Sequence, residues 1–189
     1  MIQEGDILFQ DLDCGPLCDA IEAVTVGAKG NKYSHCALAI RKNDSLKVIE
    51  AIGSAVQITS MSDFLKRSNK VLAARLKTGD KELISRAVKY LKSLLGKPYD
   101  DVFLLNNDQY YCSELLYEAF KAANYGKEFF ELEPMTFKDP KTGDFYPVWV
   151  DYYHNLHCRI PEGKPGLNPG SISRSDELLL FTPMNLKSH

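Results

Sequence analysis

The sequence lacks any long hydrophobic run: its apolar stretches last only a handful of residues, far fewer than the roughly 20 that a membrane-spanning helix needs. It also lacks an excess of charge of one sign, since the formal net charge is −2. A nearly neutral chain gives no indication of nucleic acid or an anionic membrane as a partner. The first residues carry neither the basic nor the apolar region of a secretion signal. Two expectations for localisation stay open: a cytoplasmic protein, or an exported or cell-envelope protein whose signal was trimmed.

The sequence also lacks an even set of cysteines. The five cysteines are Cys14, Cys18, Cys36, Cys112 and Cys158. An odd number in 189 residues is not typical of a disulfide framework, so we expect at least one thiol to be free or bridged to another molecule. The chain does have the composition of a globular protein, with 44% hydrophobic and 25% charged residues. Its length suits one domain over residues 1–189.

Hydrophobic periodicity predicts both strands and helices along the chain. Strands are predicted at residues 5–9, 36–40, 47–52, 55–58 and 71–76. Helices are predicted at residues 16–26, after an N-cap at Ser62, at residues 80–95 and from Cys112 to about residue 123. From about residue 129 to 165 the pattern weakens, and we expect an irregular aromatic insertion with one strand near residues 158–160. Loops of this length inside a domain often line a site.

Cys112 opens the last of these helices. The N-terminus of a helix carries unpaired N–H groups and a partial positive charge, and both favour a thiolate over a thiol. The same N–H groups could stabilise the oxyanion of a tetrahedral intermediate. A second interpretation stays open, because Cys112 is in register with the apolar stripe of Leu115, Leu116 and Ala119. Free cysteine is often a small core residue.

His35 and Glu50 lie on two consecutive predicted strands. A carboxylate among strand hydrophobes needs a partner or a solvated face. If the connecting turn is residues 41–44, His35 lies directly opposite Glu50; if it is residues 43–44, Glu50 is the diagonal neighbour of His35 on the same face. A slip of one residue would separate them. Alone, His35 is more typical of a capped or half-buried strand histidine.

Together the three residues predict a hydrolytic site, because each supplies what another lacks: Glu50 orients His35, His35 takes the proton of Cys112, and the helix N-terminus holds the thiolate. A zinc site is the competing hypothesis for the remaining cysteines and histidines. Its candidate ligands are Cys14, Cys18, His154, His157 and Cys158. Their spacing fits common zinc motifs poorly, which favours packing thiols and surface histidines. We therefore expect no metal and no organic cofactor.

Several stretches resemble the circularly permuted papain-like cysteine hydrolases of the YiiX/YebB-like type, a branch of the NlpC superfamily. The stretches that carry the resemblance are residues 4–10, 33–38, 48–53, 90–100, 111–115 and 168–178. The most specific of them contain Gly-Lys-Pro-Tyr-Asp at residues 96–100 and Tyr-Cys-Ser-Glu-Leu at residues 111–115. In this family the catalytic histidine, the acidic residue and the nucleophile match His35, Glu50 and Cys112, and the histidine precedes the cysteine.

The resemblance implies an α+β fold, with a small, curled antiparallel sheet packed against helices and the nucleophile at a helix N-terminus. It implies hydrolysis of an amide through a thioester acyl-enzyme, with a cell-wall peptide or a related small amide as substrate. Tyr111 is a candidate oxyanion or substrate contact, although it could equally be a packing residue. Related permuted enzymes transfer acyl groups to lipids or amines, so acyl transfer stays open. A non-catalytic peptide-binding module and a zinc-stabilised structural protein also stay open, as does the oligomeric state.

Overall fold

The structure is a computed structural model that describes residues 1–13 and 15–183. Strands and helices are interspersed along the chain, with β2, β3 and β4 following one another directly. In chain order they are β1 (Ile7–Gln10), α1 (Pro16–Ala23), β2 (His35–Lys42), β3 (Ser45–Ile52), β4 (Ala55–Ser60), α2 (Met61–Lys66), β5 (Val71–Leu76), α3 (Lys81–Ser93), α4 (Cys112–Ala123), β6 (Glu133–Pro134), α5 (Pro147–Asn155), β7 (Pro165–Gly166), α6 (Pro169–Ser173) and β8 (Leu178–Phe181). None of the described helices is long and apolar enough to cross a membrane.

The main sheet has six strands within the described residues, in the order β4-β3-β2-β1-β5-β8. Every neighbouring pair is antiparallel. β6 and β7 form a separate two-stranded pair. Helices pack on this antiparallel sheet, so the predicted α+β class is confirmed.

The hairpin between β2 and β3 has the shorter of the two predicted turns. Lys42 pairs with Ser45, which leaves only Asn43 and Asp44 in the turn. Both turn residues have positive φ, 51° and 58°, as a two-residue type I′ turn requires. Asparagine and aspartate tolerate this conformation better than most residues, so the local sequence explains the turn.

This register decides where the predicted site residues meet. The ladder between β2 and β3 ends at the pair of Leu38 with Ile49, and its continuation places His35 opposite Ile52. Glu50 is therefore the diagonal neighbour of His35 on the same face. Because the paired ladder stops at Leu38, β2 and β3 separate at the end that carries His35.

The two faces of the sheet are covered differently. Helices α3 and α4 cover one face with the larger core cluster, which includes Leu38 from β2 and Leu115 from α4. Helix α2 covers the other face with a smaller cluster around Phe64. Alternation along β2 assigns Cys36 to the α4 face and Ala37 to the α2 face. A third cluster joins α1 to α5 through aromatic side chains.

Local signals explain the ends of helix α3. Asp80 caps its N-terminus, with Oδ1 accepting hydrogen bonds from Glu82 N at 2.9 Å and Leu83 N at 3.0 Å. Gly96 follows its end with φ 82°, a conformation that favours glycine. The predicted cap and stop of this helix are thus confirmed.

Two local predictions are wrong. Ser60, not Ser62, caps α2, and its hydroxyl accepts from Asp63 N at 3.0 Å. Residues 158–160 form no strand, whereas Pro147–Asn155 form helix α5. Proline in the first turn fits that helix. The sequence does not predict this helix, because its aromatic residues are also typical of strands.

Candidate active site

Cys112 is the first residue of α4, as predicted. Tyr111 occupies the N-cap position, and its side chain does not cap the helix. The N–H groups of the first turn, beside Cys112, therefore receive no side-chain cap from Tyr111. Cys112 is 6% exposed and belongs to the larger core cluster with Leu115 and Leu116. Cys112 thus lies at a helix N-terminus, as expected for a nucleophile, and also packs in the core, as expected for a structural cysteine.

The imidazole of His35 pairs with the carboxylate of Glu50. His35 Nε2 lies 2.6 Å from Glu50 Oε2, and both side chains are almost completely buried. Because Nε2 is occupied by the carboxylate, Nδ1 is the ring nitrogen left for another partner. In the continued register Ala37 lies opposite Glu50, so the neighbour of His35 on this face of β2 is a small side chain.

Arg67 completes the surroundings of Glu50, and sequence reasoning missed it. Its Nη2 donates to Glu50 Oε1 and Oε2, both at 2.7 Å. Its guanidinium also lies over the ring of Phe64, 5.1 Å from the centroid. The arginine follows the short helix α2 at its C-cap. No periodicity marks such a position, so only the three-dimensional contact reveals it.

Cys112, Cys36 and His35 interact directly. A side-chain hydrogen bond from Cys36 lowers the pKa of Cys112 well below its usual value; burial opposes this, and the hydrogen bond from His35 adds to the lowering. The Cys36 backbone N–H also donates to the Cys112 sulfur. Burial, with the adjacent Cys112, raises the pKa of the Cys36 thiol well above its usual value. The favoured state is therefore a Cys112 thiolate with a Cys36 thiol as donor.

The histidine and glutamate titrate in the directions that an ion pair requires. Burial alone would lower the pKa of His35, but hydrogen bonds with Cys112 and Glu50 outweigh it and raise the pKa to about 9. Burial opposes ionisation of Glu50, yet its partners, His35 first among them, hold its pKa below the usual value. At neutral pH the site thus contains a thiolate, an imidazolium and a carboxylate in contact.

Glu114 lies in the first turn of α4 and is buried. Its Oε2 accepts from Tyr111 N at 3.4 Å. Burial and the nearby charge of Asp100 raise the pKa of Glu114 to about 9, so it is neutral at pH 7. The Asp100 carboxylate accepts hydrogen bonds from Val102 N at 2.9 Å and Leu104 N at 2.7 Å. The start of α4 therefore carries no second negative charge beside the thiolate.

Two tyrosines line the cavity next to Cys112. Tyr111 is 3% exposed, and its ring meets Phe103 edge-on at 5.4 Å. Its hydroxyl makes no hydrogen bond of normal geometry within the described residues, although the nearby Leu167 backbone slightly offsets the rise of its pKa caused by burial. Tyr99 also lines the cavity, and burial together with the charge of Cys112 raises its pKa. The Pro-Tyr-Asp sequence after α3 was the available signal for Tyr99.

Three of the five candidate zinc ligands lie on the surface. Cys158 is free and exposed, and His154 and His157 are exposed on or just after α5. Cys18 is disulfide-bonded, and Cys14 lies outside the described residues. In residues 1–13 and 15–183, no three metal-ligating side chains lie together as a metal site.

A cysteine at the start of a helix, packed against an antiparallel sheet that carries a histidine and a carboxylate, defines a papain-like protein. Because His35 precedes Cys112 in the chain, the arrangement is the permuted one. Residues 1–182 match the family model described as "Permuted papain-like amidase enzyme, YaeF/YiiX, C92 family". The chain belongs to this family of permuted papain-like amidases.

Two relatives from Escherichia coli are similar to this chain. The uncharacterized protein YiiX of strain K12 is 30% identical over 124 residues, which are 64% of this chain and 58% of YiiX. A crystal structure described as metalloprotein YiiX from strain O157:H7 has a TM-score of 0.79 at 24% identity, covering 96% of this chain and 97% of that chain. This structural comparison shows that the two proteins share a fold.

Proposed function

We propose that this protein is a cysteine amidase in which Cys112, His35 and Glu50 form a catalytic triad. The observation that carries the proposal is the unbroken contact from the Cys112 sulfur through the His35 ring to the Glu50 carboxylate. Its family of papain-like amidases supports amide chemistry. The depressed pKa of Cys112 supports a thiolate ready for attack at neutral pH.

The mechanism follows from the charges. The Cys112 thiolate attacks the amide carbonyl, and the carbonyl oxygen becomes an oxyanion beside the first-turn N–H groups of α4. His35 gives its proton to the leaving nitrogen as the carbon–nitrogen bond breaks, which leaves a thioester on Cys112. His35 then takes a proton from water, and the resulting hydroxide attacks the thioester and releases the acid and Cys112. Glu50 stabilises the protonated ring in both halves.

A cell-wall peptide or a related small amide is the proposed substrate class, in line with the NlpC superfamily resemblance. Tyr111 would contact the bound substrate because it lines the cavity, and Tyr99 is a second candidate among the lining residues. Neither tyrosine is needed for the proton transfers. Their expected effect is therefore on substrate binding more than on thiolate formation.

The mechanism uses no metal. The YiiX protein of strain O157:H7 is described as a metalloprotein. Within residues 1–13 and 15–183, no group of three or more His, Cys, Asp or Glu side chains is arranged to hold a metal ion. His35 Nε2 and Glu50 are already held by each other and by Arg67, which leaves too few free donor atoms at the triad for the usual coordination of zinc.

Labelling with iodoacetamide at neutral pH tests the nucleophile directly. We expect Cys112 to react at least tenfold faster than Cys158, although Cys158 is more exposed. His35→Ala and Glu50→Gln should slow the labelling of Cys112, and Cys112→Ala should abolish the fast phase. Peptide mapping by mass spectrometry assigns each labelled site. Equal rates at Cys112 and Cys158 would contradict the proposal.

Hydroxylamine distinguishes an acyl-enzyme from direct hydrolysis. A thioester on Cys112 should be intercepted to give a hydroxamate in place of part of the acid. The same measurement with a primary amine separates hydrolysis from acyl transfer, because a transferase would give mostly the new amide. Val150→Ala, on the exposed surface of α5, is the control that should leave the product ratio unchanged.

A further inference from the structure

A cavity of about 180 Å³ lies beside the Cys112 sulfur. Its walls come from α1, from the start of α4 and from the aromatic segment after residue 129. Ile21 contributes from α1, and Phe137 and Trp149 contribute from the aromatic segment, where their rings meet edge-on at 5.0 Å. The aromatic segment thus forms one wall of the site.

The lining of this cavity is mainly apolar. Its apolar members include Ile21, Phe103, Met135, Phe137, Trp149 and Leu167. Among the described lining residues, Glu133 is the only charged side chain besides Cys112. Glu133 is half exposed and pairs with Arg174 at 3.1 Å, so it lies toward solvent. A charged group placed deep in the cavity would lose its hydration without gaining a partner.

The position of the cavity relative to the triad indicates which part of the substrate it holds. Cys112 lines the cavity, but His35 and Glu50 do not. The leaving nitrogen must lie beside His35 in order to receive its proton. A cavity that reaches the sulfur and not the imidazole therefore lies on the side of the scissile bond away from the leaving group.

Resting on the function proposed above, we propose that this cavity binds the acyl part of the substrate, as a compact branched or aromatic group next to the attacked carbonyl. An apolar cavity of about 150 Å³ is large enough for benzene, so a cavity of about 180 Å³ suits a side chain of that size. Burial of such a group beside the sulfur contributes binding energy to the acylation step. An acyl group that carries a carboxylate is excluded by the same lining.

Acylation by p-nitrophenyl esters tests this without knowledge of the natural leaving group. The esters are the acetate, the 3-methylbutanoate, the phenylacetate and the monosuccinate, and each rate on Cys112 is divided by the rate with a small thiol in solution. We expect the 3-methylbutanoyl and phenylacetyl groups to react at least tenfold faster than acetyl and succinyl. Relative rates within threefold of each other would overturn the proposal.

A matched pair of variants tests the location. Ile21→Trp fills the cavity from α1 and should reduce the preference for phenylacetyl over acetyl at least fivefold. Val150→Trp makes the same kind of change on the exposed face of α5, outside the lining, and should keep the preference. An unchanged preference in Ile21→Trp would overturn the assignment of the cavity, and the wild-type ester series stands if that variant fails to fold.

The result also separates the two proposals. If intact-mass analysis finds no acyl group on Cys112 with any ester, the cysteine amidase proposal fails. If Cys112 is acylated and the apolar esters show no advantage, the amidase proposal stands and the acyl cavity is wrong.

Discussion

Replacing Glu50 with glutamine removes one negative charge and preserves the size of the side chain. In the wild-type protein the carboxylate pairs with His35 Nε2 at 2.6 Å and accepts from Arg67 Nη2 at 2.7 Å. The glutamine amide keeps the shape but leaves the Arg67 guanidinium without a counter-charge beside the imidazole. We therefore expect Glu50→Gln to destabilise the protonated form of His35.

The expected size follows from the hydrogen bond that is lost. A charge-assisted hydrogen bond contributes about 1.5–3 kcal/mol, and one pKa unit corresponds to about 1.4 kcal/mol. The pKa of His35, about 9 in the wild type, should fall by roughly one to two units. Loss of one partner from a buried ion pair also destabilises the fold by about 3 kcal/mol, the lower end of the usual range because Arg67 is 27% exposed.

Long-range ¹H–¹⁵N spectra of the imidazole rings measure this pKa directly. His154→Ala, His157→Ala and His189→Ala assign the competing signals. Asp6→Asn is the matched control, since Asp6 is fully buried and pairs with Arg75 at 2.7 Å, away from the triad. It should lower the free energy of unfolding and leave the His35 titration unchanged. The reasoning is refuted if folded Glu50→Gln shows the wild-type pKa for His35.

Three further predictions concern stability and the supporting residues. The pKa of His35 rises from 6.5 to about 9 on folding. Its contribution to the free energy of unfolding is therefore complete below pH 6.5 and is lost as the pH rises through 9. Urea titrations of His35→Ala should lack this decline, which amounts to up to about 3 kcal/mol. Arg67→Met should raise the pKa of Glu50 and slow Cys112 labelling about fivefold, equivalent to ~1 kcal/mol; an unchanged rate would show that Glu50 needs no cation. Trp149→Ala should cost about 3–5 kcal/mol in urea unfolding, because the indole is fully buried, and a loss below about 1 kcal/mol would contradict its place in the aromatic cluster.

Local patterns were sufficient to predict the elements that carry the proposed triad. The alternation in β2 and β3 placed His35 and Glu50 on one face, and the stripe of α4 placed Cys112 at a helix start. The turn was the ambiguous part, since either of two lengths kept the pair on one face. Asn43 and Asp44 resolve it because both accept positive φ. The contact between Cys112 and His35 joins residues far apart in the chain, and no local pattern determines such a contact.

Residues that act through tertiary contacts were beyond sequence reasoning. Arg67 lies at the end of a six-residue helix, and it reaches Glu50 because α2 packs on the sheet face that carries the pair. The aromatic segment gave a related difficulty: the sequence predicts an irregular insertion there, whereas residues 147–155 form α5, which packs on α1. Tertiary packing overrides propensity in such segments.

The alternation of charge through the site explains how a buried carboxylate can stay ionised there. The Cys112 thiolate, the His35 imidazolium, the Glu50 carboxylate and the Arg67 guanidinium follow one another in contact, and their charges sum to zero. Each buried charge thus has an opposite neighbour, which offsets the cost of removing it from water. A second carboxylate at the start of α4 would disturb this balance, and Glu114 avoids it by remaining protonated up to about pH 9. The Cys112 thiolate therefore depends on all of these neighbouring charges together. For this reason we expect the loss of Arg67 to destabilise the thiolate, although Arg67 does not contact the sulfur.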